Sequence, residues 1–190
     1  MSRQAKTYVA PEEYLAFERR AENRNEYLDG EIFAMTGASR RHNLISLNIG
    51  AELRAQLRGR DCEAYVSDMR VRIPSANLYT YPDVVAVCGE PEFEDAEVDT
   101  LLNPILIVEV LSKSTARHDR TSKFSDYRSI PSFAEYLLVA QDERHVTQYV
   151  RQTEGRWLLT DYRLPDDMLQ LESVECFLSL REIYDKVSIP

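Results

Sequence analysis

Two acids and a lysine, Asp83, Glu109 and Lys123, are the residues of this 190-residue chain whose types and spacing could do chemistry. Glu109 stands inside the near-continuous apolar run from Ile105 to Leu111, a pattern that predicts a strand covered on both faces. A carboxylate placed there must be neutralised, paired or bound to a cation, because its unaided burial costs several kcal/mol. Asp83 opens a second apolar run, Val84 to Val87, directly after Pro82. Lys123 recurs with Asp119 and Tyr127 at i, i+4, i+8, so the three share one face of a predicted helix. Two convergent carboxylates with open positions suit a hard cation such as Mg2+ or Mn2+, which keeps several waters. A lysine beside them can orient or deprotonate a water, or stabilise charge developing on a phosphate. Metal-assisted phosphodiester hydrolysis is the reaction that this set fits. A structural ion pair with a nearby Arg or Lys explains a buried Glu109 equally well, and the strand alone does not separate the two.

The elements that must position these residues follow from periodicity. Alternation puts Ile105, Ile107, Glu109 and Leu111 on one face of the central strand and Leu106, Val108 and Val110 on the other. Ser112 to Thr115 turns the chain, a helix follows from about Asp119 to Ser129, ended by Pro131, and Tyr136 to Ala140 forms the next strand. Upstream, Ala10 to Glu13 starts a short helix with Tyr14, Leu15 and Phe17 as its apolar contacts. Asn25–Leu28 and Glu31–Met35 flank Asp29-Gly30, a strong hairpin signal. Ser39 caps the longest helix, which runs to about Arg58 before Gly59 and buries Ile45, Ile49, Leu53 and Leu57, with Leu44 widening the stripe. His42 lies on that stripe at the end nearest the hairpin, where a lone histidine is more often a satisfied boundary residue than a ligand. Cys62 to Ile73 ends in D-M-R-V-R-I, which alternates as a half-exposed strand should, and Pro74 to Asn77 breaks it. Strands near His145–Val150 and Trp157–Tyr162, joined through Glu154-Gly155, precede a closing helix near Leu178 to Tyr184. With no repeat, low-complexity stretch or linker, one domain over 1–190 is expected.

A net charge of -9 argues against a general nucleic-acid binder, but the charge is uneven. Arg40 to Arg72 and Leu111 to Ile130 are each net +3, while Gly89 to Asp99 holds six acids and reads as a surface loop or weak helix. Cys62, Cys88 and Cys176 are odd in number and far apart, which predicts neither a disulfide framework nor a zinc site and suits a reducing cytosol. The first residues lack the apolar core of a signal peptide, and no apolar run reaches the ~18 residues of a membrane span, so a cytoplasmic protein without membrane contact is expected.

The runs Y-P-D-V-V-A-V, N-P-I-L-I-V-E-V-L-S-K-S-T, D-R-T-S-K-F-S-D-Y-R-S-I-P and E-Y-L-L-V resemble the Uma-two family of restriction endonuclease-like proteins, a branch of the P-D-(D/E)-x-K nuclease superfamily. N-E-Y-L-D-G-E-I and the R-R-H-N opening the long helix extend the likeness over nearly the whole chain. The resemblance implies an α/β restriction endonuclease-like core. Its central mixed β-sheet would be flanked by helices, with an N-terminal hairpin and a C-terminal antiparallel extension. It also implies a Mg2+- or Mn2+-dependent endonuclease acting on DNA as a homodimer. Carried over, Asp83 is the motif's aspartate, Glu109 its second acid, and the Val110 carbonyl the backbone metal ligand. The motif's lysine position falls on Leu111, a departure that makes Lys123 the relocated lysine. Its replacement by alanine is then expected to stop cleavage with the melting temperature nearly intact. Glu26 resembles an additional upstream acid, and His42, Asp119 and Tyr127 are accessory candidates. DNA contacts are expected from Arg40, Arg41, Arg117 and Arg120. The alternative is a catalytically inactive nuclease fold that binds DNA or a protein partner, since fold does not establish activity.

Overall fold

The structure, a computed structural model, describes residues 8–112 and 119–189. Helix α1 (Pro11–Glu18) leads into the hairpin β1 (Asn25–Leu28) and β2 (Glu31–Ala34). Its Asp29-Gly30 turn has φ of 44° and 91°, the positive values that a two-residue hairpin turn requires. Helix α2 (Arg40–Gln56) follows, with the Ser39 hydroxyl accepting from the His42 amide. The chain then forms β3 (Cys62–Val66), β4 (Arg70–Ile73), β5 (Leu78–Thr80), β6 (Val84–Cys88), β7 (Thr100–Leu101) and β8 (Leu106–Leu111). A π-helical turn over Asp119–Lys123 runs into α3 (Phe124–Tyr127). Strands β9 (Glu135–Ala140), β10 (Val146–Arg151) and β11 (Trp157–Tyr162) come next, then the hairpin β12 (Met168–Leu171) and β13 (Cys176–Ser179), and helix α4 (Leu180–Ile183).

Six strands form a mixed sheet in the order β11-β10-β9-β8-β6-β3. Strands β8 and β9 run parallel, as a connection long enough to carry a helical crossover allows, and the other neighbours are antiparallel. The residues of β8 part to two cores as their alternation predicts. Leu106, Val108 and Val110 meet Ile45, Ile49 and Leu53 of α2 and Leu57, which caps its C-terminal end. Ile107 and Leu111 meet Tyr127, Ile130, Phe133 and Tyr136, together with Val71, Ile73 and Leu78 of a second sheet ordered β2-β1-β5-β4-β7. The six-stranded sheet therefore lies between α2 on one side and the second sheet with α3 on the other. Ile105 precedes the strand and packs with the α2 cluster, opposite to the face that strict alternation assigns it.

Several expectations are corrected. Phe17 is exposed, because α1 buries Tyr14, Leu15 and Glu18, and Phe17 falls outside that face. The Cys62 to Ile73 stretch is interrupted at Ser67 (φ 63°), just before the D-M-R-V-R-I run, and β4 is buried rather than half-exposed. Arg70 is accommodated inside by the Thr100 and Tyr81 hydroxyls, each 2.9 Å away, and by Asp99 at 2.8 Å. The helix expected over Asp119–Ser129 starts as a π turn, and α3 ends at Tyr127. The closing helix begins only at Leu180, behind the β12–β13 hairpin that periodicity did not reveal. Cys62 and Cys88 form a disulfide, contrary to the reading of their spacing. Antiparallel pairing of β3 and β6 sets them directly opposite, with Cα atoms 4.0 Å apart across a sequence separation of 26. The cysteine argument for a reducing compartment falls with it. Among the described residues no helix is long and apolar enough to cross a membrane.

Leu53 is fully buried between α2 and the sheet. Leu53→Ala should lower the unfolding free energy in urea by about 2–5 kcal/mol, and a loss below about 1 would mean that α2 is not a core element.

Candidate active site

The neighbouring strands β6 and β8 deliver the two acids to one place. Their ladder pairs Val84 with Val108, so one step further Asp83 stands opposite Glu109, just where Pro82 ends the regular pairing. Asp83 extends the ladder with its side chain: Oδ2 accepts from the Val110 amide at 2.7 Å. Its other oxygen, Oδ1, lies 3.2 Å from Nε2 of His42, in the first turn of α2. That turn is itself tied to the end of β8. Ser39 Oγ donates to Gln141 Oε1 at 2.5 Å, and Gln141 Nε2 donates to the Leu111 carbonyl at 2.9 Å.

Glu109 meets its partners on the side of the sheet that α3 covers. Lys123 Nζ is 3.2 Å from Glu109 Oε1, 3.2 Å from Glu26 Oε1 and 3.8 Å from Asp119 Oδ1, and the Tyr127 hydroxyl donates to Glu109 Oε1 at 2.8 Å. The shared face of Asp119, Lys123 and Tyr127 thus turns inward, and all three are buried. The exposed Lys123–Asp119 contact that a surface helix would make is not what forms. Glu26 reaches Lys123 from β1 and also accepts from the Thr80 hydroxyl. Thr80, Ser39 and Gln141 were not singled out from the sequence, since nothing in their local spacing marks them.

Burial pushes the Glu109 carboxyl above the usual carboxylate range; Asp83 and Asp119 act in the same direction, while the Lys123 ammonium and the Tyr127 hydrogen bond oppose them. Burial alone would lower the Lys123 pKa, but Glu109, Glu26 and Asp119 together raise it, so the lysine is held protonated.

These groups line one cleft of about 740 Å³, with Glu26, Phe33, His42, Asp83, Glu109 and Lys123 on its walls. Among the described residues no group of three or more His, Cys, Asp or Glu side chains is arranged around a metal position. A cation would have to rest on the Asp83 and Glu109 carboxylates and the Val110 carbonyl. That carbonyl leaves the strand on the same edge as the amide bonded to Asp83. Such an all-oxygen set with few protein ligands fits a hard divalent ion that retains water. Arg40 and Arg120 are exposed and Arg41 is half-buried, while Arg117 lies outside the described residues.

A family model described as "Uma2: Putative restriction endonuclease" matches residues 11–181. The chain belongs to the Uma2 family. It is 41% identical over 149 residues to the uncharacterized protein sll1609 of Synechocystis sp., covering 78% of this chain and 84% of that one. It is 36% identical over 176 residues to the uncharacterized protein slr1290 of the same organism, covering 93% and 91%. The fold is similar to the crystal structure of a putative nuclease belonging to DUF820 from Anabaena variabilis. The TM-score is 0.76 at 16% identity, over 95% of this chain and 99% of that one. The Uma2 chain therefore has the restriction endonuclease-like α/β fold, with a central mixed sheet and few helices.

Because Lys123 is buried against Glu109, its substitution should not leave stability untouched. Lys123→Ala takes the shared counter-charge from Glu109, Glu26 and Asp119 and should cost about 1–3 kcal/mol in urea unfolding at neutral pH, the loss being limited because Glu109 can then take up a proton. Adding Glu109→Gln should return part of that loss, since the two changes share one interaction. Strictly additive losses would show that the pair is not coupled.

Proposed function

We propose that this Uma2 protein is a metal-dependent endonuclease that hydrolyses DNA phosphodiester bonds. The observation that carries the reading is a protonated lysine held between Glu26 and Glu109 at the cleft that Asp83 also enters. A lone structural ion pair would need one acid beside Lys123; here three surround it, within 3.2 to 3.8 Å, and a further carboxylate stands across the strand pair. The family's membership and its nuclease-like fold support the same reaction class.

When bound by Asp83, Glu109 and the Val110 carbonyl, Mg2+ or Mn2+ would supply Lewis-acid polarisation of a phosphoryl oxygen and a water of lowered pKa. The chain's own groups do the positioning. Lys123, held protonated, serves as donor and positive charge rather than as a base, orienting the attacking water or neutralising a non-bridging oxygen as charge builds there. Tyr127 fixes the orientation of Glu109 through its hydroxyl, and His42 with the Val110 amide fixes both oxygens of Asp83. Glu26 and Asp119 hold the lysine in place.

Supercoiled plasmid incubated with Mn2+ or Mg2+ should be nicked and linearised, and a chelator should stop it. Glu109→Gln and Lys123→Ala should each lower the rate by about a hundredfold to a thousandfold. Lys123→Ala combined with Leu111→Lys should recover part of it, because Leu111 shares the face of Glu109. Unchanged cleavage by Lys123→Ala would overturn the lysine's role. Metal at 100 times its Kd should also raise stability by about 2.7 kcal/mol. No stabilisation of wild type, or the same stabilisation in Asp83→Asn, would remove Asp83 from the metal site.

A further inference from the structure

We propose that Phe33 is a base-stacking residue of the cleft, and that the site takes an unpaired or locally melted DNA strand in preference to intact duplex. This deepens the nuclease reading and rests on it for the chemistry, though not for the stacking.

Position comes first. The β1–β2 register sets Phe33 directly opposite Glu26, so both side chains leave the hairpin on one face. Glu26 is bonded to Lys123, which places the phenyl ring beside the charged centre. The neighbouring pair, Tyr27 and Ile32, points the other way, where Tyr27 stacks on Tyr14 at 5.0 Å between centroids. Strand β2 is the edge of its sheet, so no further strand covers Phe33. The ring is 45% exposed on the cleft wall, whereas Tyr14, Tyr27 and Tyr79 on the opposite face are fully buried.

Charge makes the same selection. Among the described residues, five carboxylates line the cleft, Glu22 in addition to the four already described, against two cations, Arg24 and Lys123. Both cations are already engaged: Arg24 pairs with Asp68 and donates to the Ser67 carbonyl at 3.2 Å, and Lys123 sits among three acids. Duplex DNA brings one negative charge per ~1.7 Å of axis and a single strand one per ~3.4 Å. A wall this acidic is therefore less hostile to a single strand, whose uncharged base faces can add affinity to what the divalent cation and Lys123 gain on the phosphate. An exposed aromatic ring beside the phosphate-cutting groups supplies that contact without regard to base identity.

The test compares wild type, Phe33→Ala and Phe33→Trp on a short single-stranded oligonucleotide containing 2-aminopurine and on the same sequence annealed into duplex. Fluorescence titration with Ca2+ in place of Mn2+ reads stacking, and initial rates in Mn2+ read cleavage. Wild type should quench the single strand and bind it more tightly than the duplex. Phe33→Ala should lose the quench and weaken Kd about fivefold to a hundredfold, and raise KM with little change in kcat; Phe33→Trp should restore both. Equal binding and cleavage by Phe33→Ala and wild type would overturn the stacking role while leaving the nuclease reading in place. Phe33-dependent quenching without cleavage by any variant would uphold the stacking and sink the nuclease reading. No binding of either oligonucleotide by wild type would overturn both.

Discussion

The buried contact between Lys123 and Glu109 is the constraint around which the rest of this structure is arranged. A carboxylate in the middle strand of a sheet covered on both faces is tolerable only with a counter-charge and hydrogen bonds, and both come from one short helical segment. That segment must pass directly over β8, which sets where the crossover between the parallel strands β8 and β9 can lie. Its Tyr127 simultaneously closes the aromatic core beneath it, packing on Phe133 and Tyr136 at centroid distances of 5.8 and 5.6 Å. Charge compensation and core packing are thus carried by the same turn of helix.

The second sheet acquires its place from the same demand. One ammonium cannot satisfy its donors on Glu109 alone, and the hairpin brings Glu26 to it from across the cleft. Thr80 on β5 holds Glu26 in turn, so the sheet is linked to the centre through side chains as well as through the apolar cluster of Val71, Ile73 and Leu78. On its outer face that sheet is fastened to α1 by three tyrosines and by Glu18, which accepts from Asn25 and Tyr81. The buried Arg70 completes the same polar layer. A rigid outer layer keeps Glu26, and Phe33 opposite it, at a defined height above the strand ends.

Asp83 shows how a break in regular structure becomes a site. Proline ends the β6 ladder one residue early, and the Asp83 carboxylate takes the Val110 amide that would otherwise lack a partner. One oxygen is spent on the backbone and the other turns to His42, so the acid is oriented before any ligand arrives.

Periodicity and turn chemistry alone determined much of this protein. The alternation along Ile105–Leu111 assigned Glu109 and Val110 to opposite faces, the four-residue stripe of Ile45 to Leu57 marked the helix that covers one of them, and Asp29-Gly30 located the hairpin. These signals are local, because each depends on a repeat of two or of three to four residues within one element. Only the tertiary structure decided what depends on register between distant segments: the pairing of Cys62 with Cys88, the meeting of Glu26 with Lys123, and the insertion of Arg70 among Tyr81, Thr100 and Asp99. It also decided that Lys123 is buried, since an i, i+4 partner such as Asp119 looks the same in sequence whether the helix face meets water or a sheet. Strand register and helix rotation are fixed by packing summed over the whole core, and no window of a few residues contains that sum.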